Sequence, residues 1–466
     1  MAGVGFKLNK LFYKNQISTD VLAVIYSILT SSGPWIITTI SLWVVIYSLK
    51  SADIYFNMAV IYAFILSIIF SGIFSMFLSR RTSDLIYSKK YEKILPETLS
   101  IILVNNLIVI TYLLIFFLIF KHDIKFILSF SYLTASLTTL WLISVSSLAT
   151  DSINWYIFSY LTMGISSIIL AKYFEIIGYA IAVNIGIIIN VFVVIYYFGS
   201  SSKKISFEWF KEVKNYWQNL LIGFTYYLSI WIDDIIVWNH PKFGEEPISG
   251  FKFSYVYDSP MFFSYLTIIP TITMFILVLE TRFYKKYKSF YNSLIEGYVL
   301  SEIILLKNSM EKELKQNISL TIKIQTLITT VFFILNELEL LPFSNQLSKP
   351  ILRLGLIGAM LNGFYLMMLL LILYFDFRNL ALAINLSVLG LNSILSTIFV
   401  NKIGYAALGS GYAFSFAIGT FISYYLLKKR VNKIIQIEYS RQKVDLKEGY
   451  YLRLSQLPTA YRSGGL

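Results

Sequence analysis

About twelve apolar stretches, each roughly 20–28 residues long, follow one another along the chain, and each is long enough to cross a hydrocarbon core of about 30 Å. They lie near 21–49, 55–78, 99–120, 124–148, 153–173, 176–199, 218–239, 259–280, 319–341, 350–374, 380–399 and 404–427. Only a few polar residues part the fourth, fifth and sixth runs, so the count can change by one pair. Charge confirms the solvent: 14% of residues are charged and 57% hydrophobic, with a mean hydropathy of +0.67, whereas soluble domains carry about 25% charge. The expected fold is an all-α integral membrane protein of about twelve transmembrane helices.

Lysine and arginine set the orientation. If the N-terminus is inside, the inside segments hold about 29 basic residues and the outside loops about 9. The outside set is Lys50, Lys121, Lys125, Lys172, Lys242, Lys252, Lys349, Arg353 and Lys402. Both termini are therefore expected in the cytoplasm. Topology and anionic lipid account for the net charge of +13, and no nucleic-acid partner is needed. The first run is too long for a signal h-region and lacks a small-residue cleavage site, so no cleavable signal is expected.

Several chemistries are excluded. There is no cysteine, so no disulfide, thiolate metal site or redox role. His122 and His240 are the only histidines, and both fall in outside loops, which rules out a helix-borne HExxH zinc site. GxxxxGK[ST] and GxSxG are absent. No loop is large enough for a catalytic domain; the longest inside loop, 282–318, is amphipathic and basic. The chain is read as a non-enzyme, without metal or cofactor, that works within or beside the bilayer.

Twelve helices divide into two halves of six, the form of many transporters. The expected boundaries are 1–199 for the first half, 200–217 for a basic cytoplasmic linker, 218–427 for the second half and 428–466 for a basic tail. Helix breaks fall early in each half. The first run contains ILTSSGPWIITT, where Gly33 and Pro34 interrupt the helix and Ser31 and Ser32 can satisfy freed carbonyls. An ordinary proline kink and a hinge lining a cavity both fit. Pro260 and Pro270 repeat the theme in the eighth run.

The seventh run reads YLSIWIDDIIVW, with two aspartates where one alone costs about 2.5–3.5 kcal/mol at mid-membrane. On a helix Tyr227, Trp231, Asp234 and Trp238 form one stripe, and Asp233 turns about 100° away toward Tyr226 and Ile230. Aromatic faces with carboxylates suit a sugar polymer, the rings stacking on pyranose C–H faces and the acids attracting hydroxyl or amino groups. Two plainer readings stand beside this one: an ion pair with a basic group such as Arg353, or an interfacial tryptophan belt.

The segments MAGVGFKLNKLF, SSGPWIIT and WIDDIIVW, and above all YDSPMFFSYLTIIPTITMFILVLETRFYKKYKSFYNSL at 257–294, resemble the Pel exopolysaccharide exporter family. The resemblance runs nearly end to end. It implies a fold similar to polysaccharide flippases of the MATE-like, or MOP, superfamily. It also implies a bacterial inner-membrane location, a substrate rich in partly de-N-acetylated aminosugars, a cytoplasmic glycosyltransferase partner and further Pel membrane subunits. The family often carries a basic residue after the first aspartate, where this chain has Asp234. Asp233 is thus the residue to carry over, without the family's ion pair.

The leading expectation is polymer export through a cavity between the halves, lined by Trp35, Tyr227, Trp231, Asp233, Asp234 and Trp238, with Gly33, Pro34, Pro260 and Pro270 permitting bends. Ion coupling and push from polymer synthesis both remain open as energy source. A non-conducting scaffold that recruits the glycosyltransferase is the alternative, and drug or ion antiport a third reading.

Overall fold

The computed structural model describes residues 27–29, 32–48, 54–150, 152–199, 205–341 and 348–441. Five helices come first: α1 (Gly33–Ser48), α2 (Ile54–Tyr87), α3 (Ile94–Ile119), α4 (Ile124–Leu148) and α5 (Ile153–Phe198). Helix α6 (Phe210–Trp238) leads into strands β1 (Glu245–Ile248) and β2 (Phe251–Phe253). Then follow α7 (Tyr255–Leu266), α8 (Ile269–Val278), a π-helical turn (Leu279–Phe283), α9 (Tyr284–Ile295) and α10 (Leu300–Glu337). The last four are α11 (Ser348–Tyr374), α12 (Arg378–Lys402), α13 (Ser410–Asn432) and α14 (Ile434–Arg441).

Among the described residues, ten helical stretches are long and apolar enough to cross a membrane, and Gly33–Val45 is a shorter apolar helix. One of the ten is double. Helix α5 reverses at Glu175 (φ 51°, ψ −127°). Beyond that point Gly178 meets the Leu170 carbonyl, Gly186 meets Met163, and Asn190 Nδ2 donates to Ser159 Oγ at 2.8 Å. Those pairs run antiparallel, so α5 is two apolar arms that fold back at the gap expected between 173 and 176. A Cβ on Gly178 would stand 2.1 Å from the Leu170 oxygen, which is why the tight return needs glycine there.

Three segments differ from expectation. Within the nearly all-helical fold, the β1–β2 hairpin arises in a stretch read as an outer loop. Gly250 at φ +78° turns the chain, and Ile248 and Phe251 find an apolar place to bury. The stretch 282–318, read as a loop, is helical: α9 packs on α10, and Phe290, Leu294, Ile303, Met310 and Leu314 are buried. The 38 residues of α10 span about 57 Å, far more than a hydrocarbon core of about 30 Å. The basic segment 200–217 is helical from Phe210 onward.

Helix α6 runs between α2 and α12. Against α2 the fit is glycine on glycine, since a Cβ on Gly223 would lie 2.0 Å from the Gly72 carbonyl oxygen. Against α12, Asn385 Nδ2 donates to Ile222 O at 2.9 Å and to Thr225 Oγ1 at 2.6 Å. At one end of α6, Arg80 and Arg378 both lie over the Tyr216 ring, 5.5 and 4.8 Å from its centroid, where α6 departs from helical geometry. Nearby, Arg81 makes a two-pronged pair with buried Glu97 at 2.6 and 2.8 Å.

By contacts the chain divides after Ser423. The second unit, Tyr424–Leu466, holds the end of α13 and the short helix α14, in which Arg441 pairs with Glu438 at 3.1 Å.

Candidate functional site

Helix α6 presents three faces, each to a different neighbour. Tyr227, Trp231 and Trp238 turn toward α2, joining Tyr62, Ile65 and Ile69 in one apolar cluster. Tyr226 turns toward α11, where its hydroxyl donates to Asn362 Oδ1 at 3.2 Å. Between these, the two aspartates point into the protein: Asp233 is 1% exposed and Asp234 2%. The aromatic stripe and the separate Asp233 face were both readable from helical spacing.

Each carboxylate is held by neutral donors. Tyr257 Oη of α7 donates to Asp233 Oδ2 at 2.5 Å, and Asn392 Nδ2 of α12 donates to Asp233 Oδ1 at 3.2 Å. Tyr265 Oη, also of α7, donates to Asp234 Oδ2 at 3.0 Å. A third carboxylate sits close by in the sequence of the same helix: Asp258 accepts from Trp238 Nε1 at 2.8 Å and from the Ser254 amide at 2.9 Å. Among the described residues no lysine or arginine pairs with any of the three. The three buried carboxylates are answered only by hydroxyl, amide and indole dipoles and together form one acidic centre. No group of three or more histidine, aspartate and glutamate side chains among the described residues is arranged to hold a metal ion.

The ion-pair reading is corrected here. Arg353 forms a two-pronged pair with Glu337, which Lys349 also approaches at 3.8 Å, and so it is not the partner of either aspartate. Trp35 stands apart from the α6 stripe; its ring meets Phe262 of α7 edge-on at 6.4 Å. Trp231 also meets the Tyr265 ring, at 5.6 Å, linking the stripe to the Asp234 donor.

The breaks have distinct local causes. Gly33 and Pro34 begin α1, where a missing N–H costs nothing, and Ser32 O already accepts from Ile36 N at 2.9 Å. Ser31 lies outside the described residues. Pro260 sits inside α7, and its own carbonyl accepts from Ser264 Oγ at 2.8 Å. Pro270 opens α8 after a break at Thr267 and Ile268. Gln325 of α10 repairs that break: its Nε2 donates to Thr267 O at 2.9 Å, and its Oε1 accepts from Thr271 Oγ1 at 2.7 Å. A broken helix at membrane depth needs such a partner.

Asp258, Tyr257, Tyr265 and Gln325 do not stand out in the sequence as site residues. The DSP of YVYDSPMFF places Asp258 two residues before a helix-bending proline, the one local hint. Asn392 and Gln325 reach the site only through tertiary packing.

The comparisons agree with this architecture. An outward-facing multidrug resistance MATE family transporter of the MOP superfamily is 14% identical, with a TM-score of 0.61 over 88% of this chain and 96% of that one. A MATE in the straight conformation is 12% identical, with a TM-score of 0.63 over 89% and 96%. A eukaryotic MATE transporter gives 13% and 0.57 over 88% and 98%. At these identities the likeness speaks for the fold. No curated protein matches the chain. The PelG family model, described as "Putative exopolysaccharide Exporter (EPS-E)", matches residues 1–439. With a MATE-like fold and a family match over nearly its whole length, this chain belongs to the PelG family of exopolysaccharide exporters.

Proposed function

We propose that the chain carries a Pel-type aminosugar polymer across the bacterial inner membrane. The path would run between the helices of 1–199 and those of 218–427, with both termini in the cytoplasm. The observation that supports this reading is the acidic centre of Asp233, Asp234 and Asp258, buried among aromatic rings and without a basic partner among the described residues. Partly de-N-acetylated aminosugars bring the complementary charge, and their apolar faces suit Trp231 and Trp238. In the present conformation the aspartates are sealed inside the second set, between α6, α7 and α12, so a path between the two sets reaches them only when α6 moves away from α7 and α12. The test replaces Asp233→Asn together with Asp234→Asn. Polymer outside the cell is lost while protein level and membrane insertion stay at wild type. Loss of the protein itself would make the pair structural and end the proposal.

A second reading has one observation in its favour. The α9–α10 hairpin exposes Ile295, Val299, Leu300 and Leu305 at its tip, a surface that a cytoplasmic glycosyltransferase could cover. The chain would then act as a scaffold, alone or with other Pel membrane subunits and anionic lipids around it. Deleting the tip separates the readings: a scaffold loses polymer synthesis, whereas an exporter keeps it.

A further inference from the structure

The β1–β2 hairpin belongs covalently to the second set of helices, because it connects α6 to α7. Its side chains nevertheless pack into the first set. Ile248 and Phe251 are 4% and 0% exposed and belong to the same apolar core as Phe117, Phe126 and Phe130 of α3 and α4. Phe251 fills a socket of rings, with centroids 4.9 Å from Tyr62, 5.4 Å from Phe116, 5.6 Å from His122 and 5.4 Å from Phe130.

The hairpin backbone is also held by side chains of that first set. Tyr62 Oη donates to Lys252 O at 2.5 Å and accepts from Lys252 N at 2.7 Å, so one tyrosine satisfies both main-chain groups of one residue. His122 Nε2 donates to Ser249 O at 2.8 Å. Gly250 is required twice over, by its φ of +78° and because a Cβ there would meet the Phe120 ring at 2.6 Å.

From this placement we infer that the β1–β2 hairpin is a latch: docked, it straps the two sets of helices together at the end where α2, α3, α4 and α6 meet, and it must undock for the export path to open at that end. The inference rests on the export reading above, with that end facing outward. A two-stranded hairpin alone is marginally stable. Its order therefore comes from docking, and leaving the socket melts it, which makes docked and undocked two discrete states rather than a continuum. The latch also touches the acidic centre. Ser254, one residue past β2, donates its amide to Asp258; Trp238 holds the other oxygen of Asp258 and stacks on Tyr62, centroids 5.4 Å apart at 29°. A guest that draws Asp258 away from these donors loosens both attachments of the hairpin at once.

Because the chain contains no cysteine, an introduced pair reports alone. His122→Cys with Ser249→Cys is reconstituted with the glycosyltransferase and its sugar nucleotide outside, then joined with a reducible bis-methanethiosulfonate linker. Joining lowers polymer delivery at least tenfold, reductant restores it, and neither single-cysteine variant responds. Delivery by the joined protein at the unjoined rate would overturn the latch. If the unjoined protein delivers nothing, the export reading fails on its own account. The latch is then decided by labelling Ile248→Cys with a maleimide in detergent, where both ends of the folded protein are accessible. A latch that opens lets the thiol react in the folded protein, and a thiol that reacts only after denaturation marks a fixed plug and refutes it.

Discussion

Replacing Gly223 by alanine tests how closely α6 is seated on α2. The new methyl would lie 2.0 Å from the Gly72 carbonyl oxygen and 3.1 Å from its carbon. Both are backbone atoms and cannot swing aside. Relief to an ordinary contact of about 3.5 Å separates the helices locally by about 1.5 Å, and overpacking of this kind costs about 1–3 kcal/mol. The movement falls on the helix that carries Asp233 and Asp234, so export should fall with stability. Gly390→Ala is the matched control. It adds the same methyl to helix α12 where nothing lies within 4 Å, and a helical glycine replaced by alanine gains about 0.5–1 kcal/mol. Thermal unfolding in detergent reads both variants: Gly223→Ala melts several degrees below wild type, and Gly390→Ala at or above it. Equal shifts in the two would refute the close-packed α2–α6 seam.

Two further substitutions probe single contacts. Gln325→Leu removes three hydrogen bonds, to Thr267, Thr271 and Thr329; at about 0.6 kcal/mol each in a membrane the loss is about 2 kcal/mol, read as a lower midpoint of unfolding, with Thr330→Val, on an exposed position of the same helix, near wild type. Glu97→Ala leaves Arg81 with only the 3.8 Å approach of Glu212, a loss of about 3 kcal/mol for a broken buried pair, and restoring charge with Glu97→Asp should recover part of the midpoint.

The helices were legible because bilayer thickness imposes its own length on apolar runs, and the reversal in α5 showed as the polar gap around Glu175. The faces of α6 were legible for the same kind of reason: helical spacing alone separates Asp233 from the aromatic stripe. What meets those faces was not. Tyr257, Tyr265 and Asn392 lie 24, 31 and 159 residues from the aspartates they serve, and no local pattern encodes such pairings. Arg353 was a reasonable partner by charge, yet Glu337 claims it at the ends of α10 and α11. The latch escaped notice because EEPISGFKF lacks the alternation of a free strand; its order is supplied by a socket made elsewhere in the chain. The first half of α10 did carry a signal, with Ile303, Met310, Leu314 and Ile318 at helical spacing and an amphipathic character, but its charges set it apart from the apolar run with which it forms one helix.

On the export reading, polymer passes through this protein by way of its acidic centre. Purified protein in liposomes, with the glycosyltransferase and sugar nucleotide on the cytoplasmic-facing outer side, tests it most directly by the amount of polymer enclosed in the lumen. Export by this route leaves polymer enclosed, and the enclosed polymer disappears when Asp233 and Asp234 are both replaced by asparagine. Polymer synthesised normally but left entirely outside, with wild-type protein and mutant alike, would contradict it.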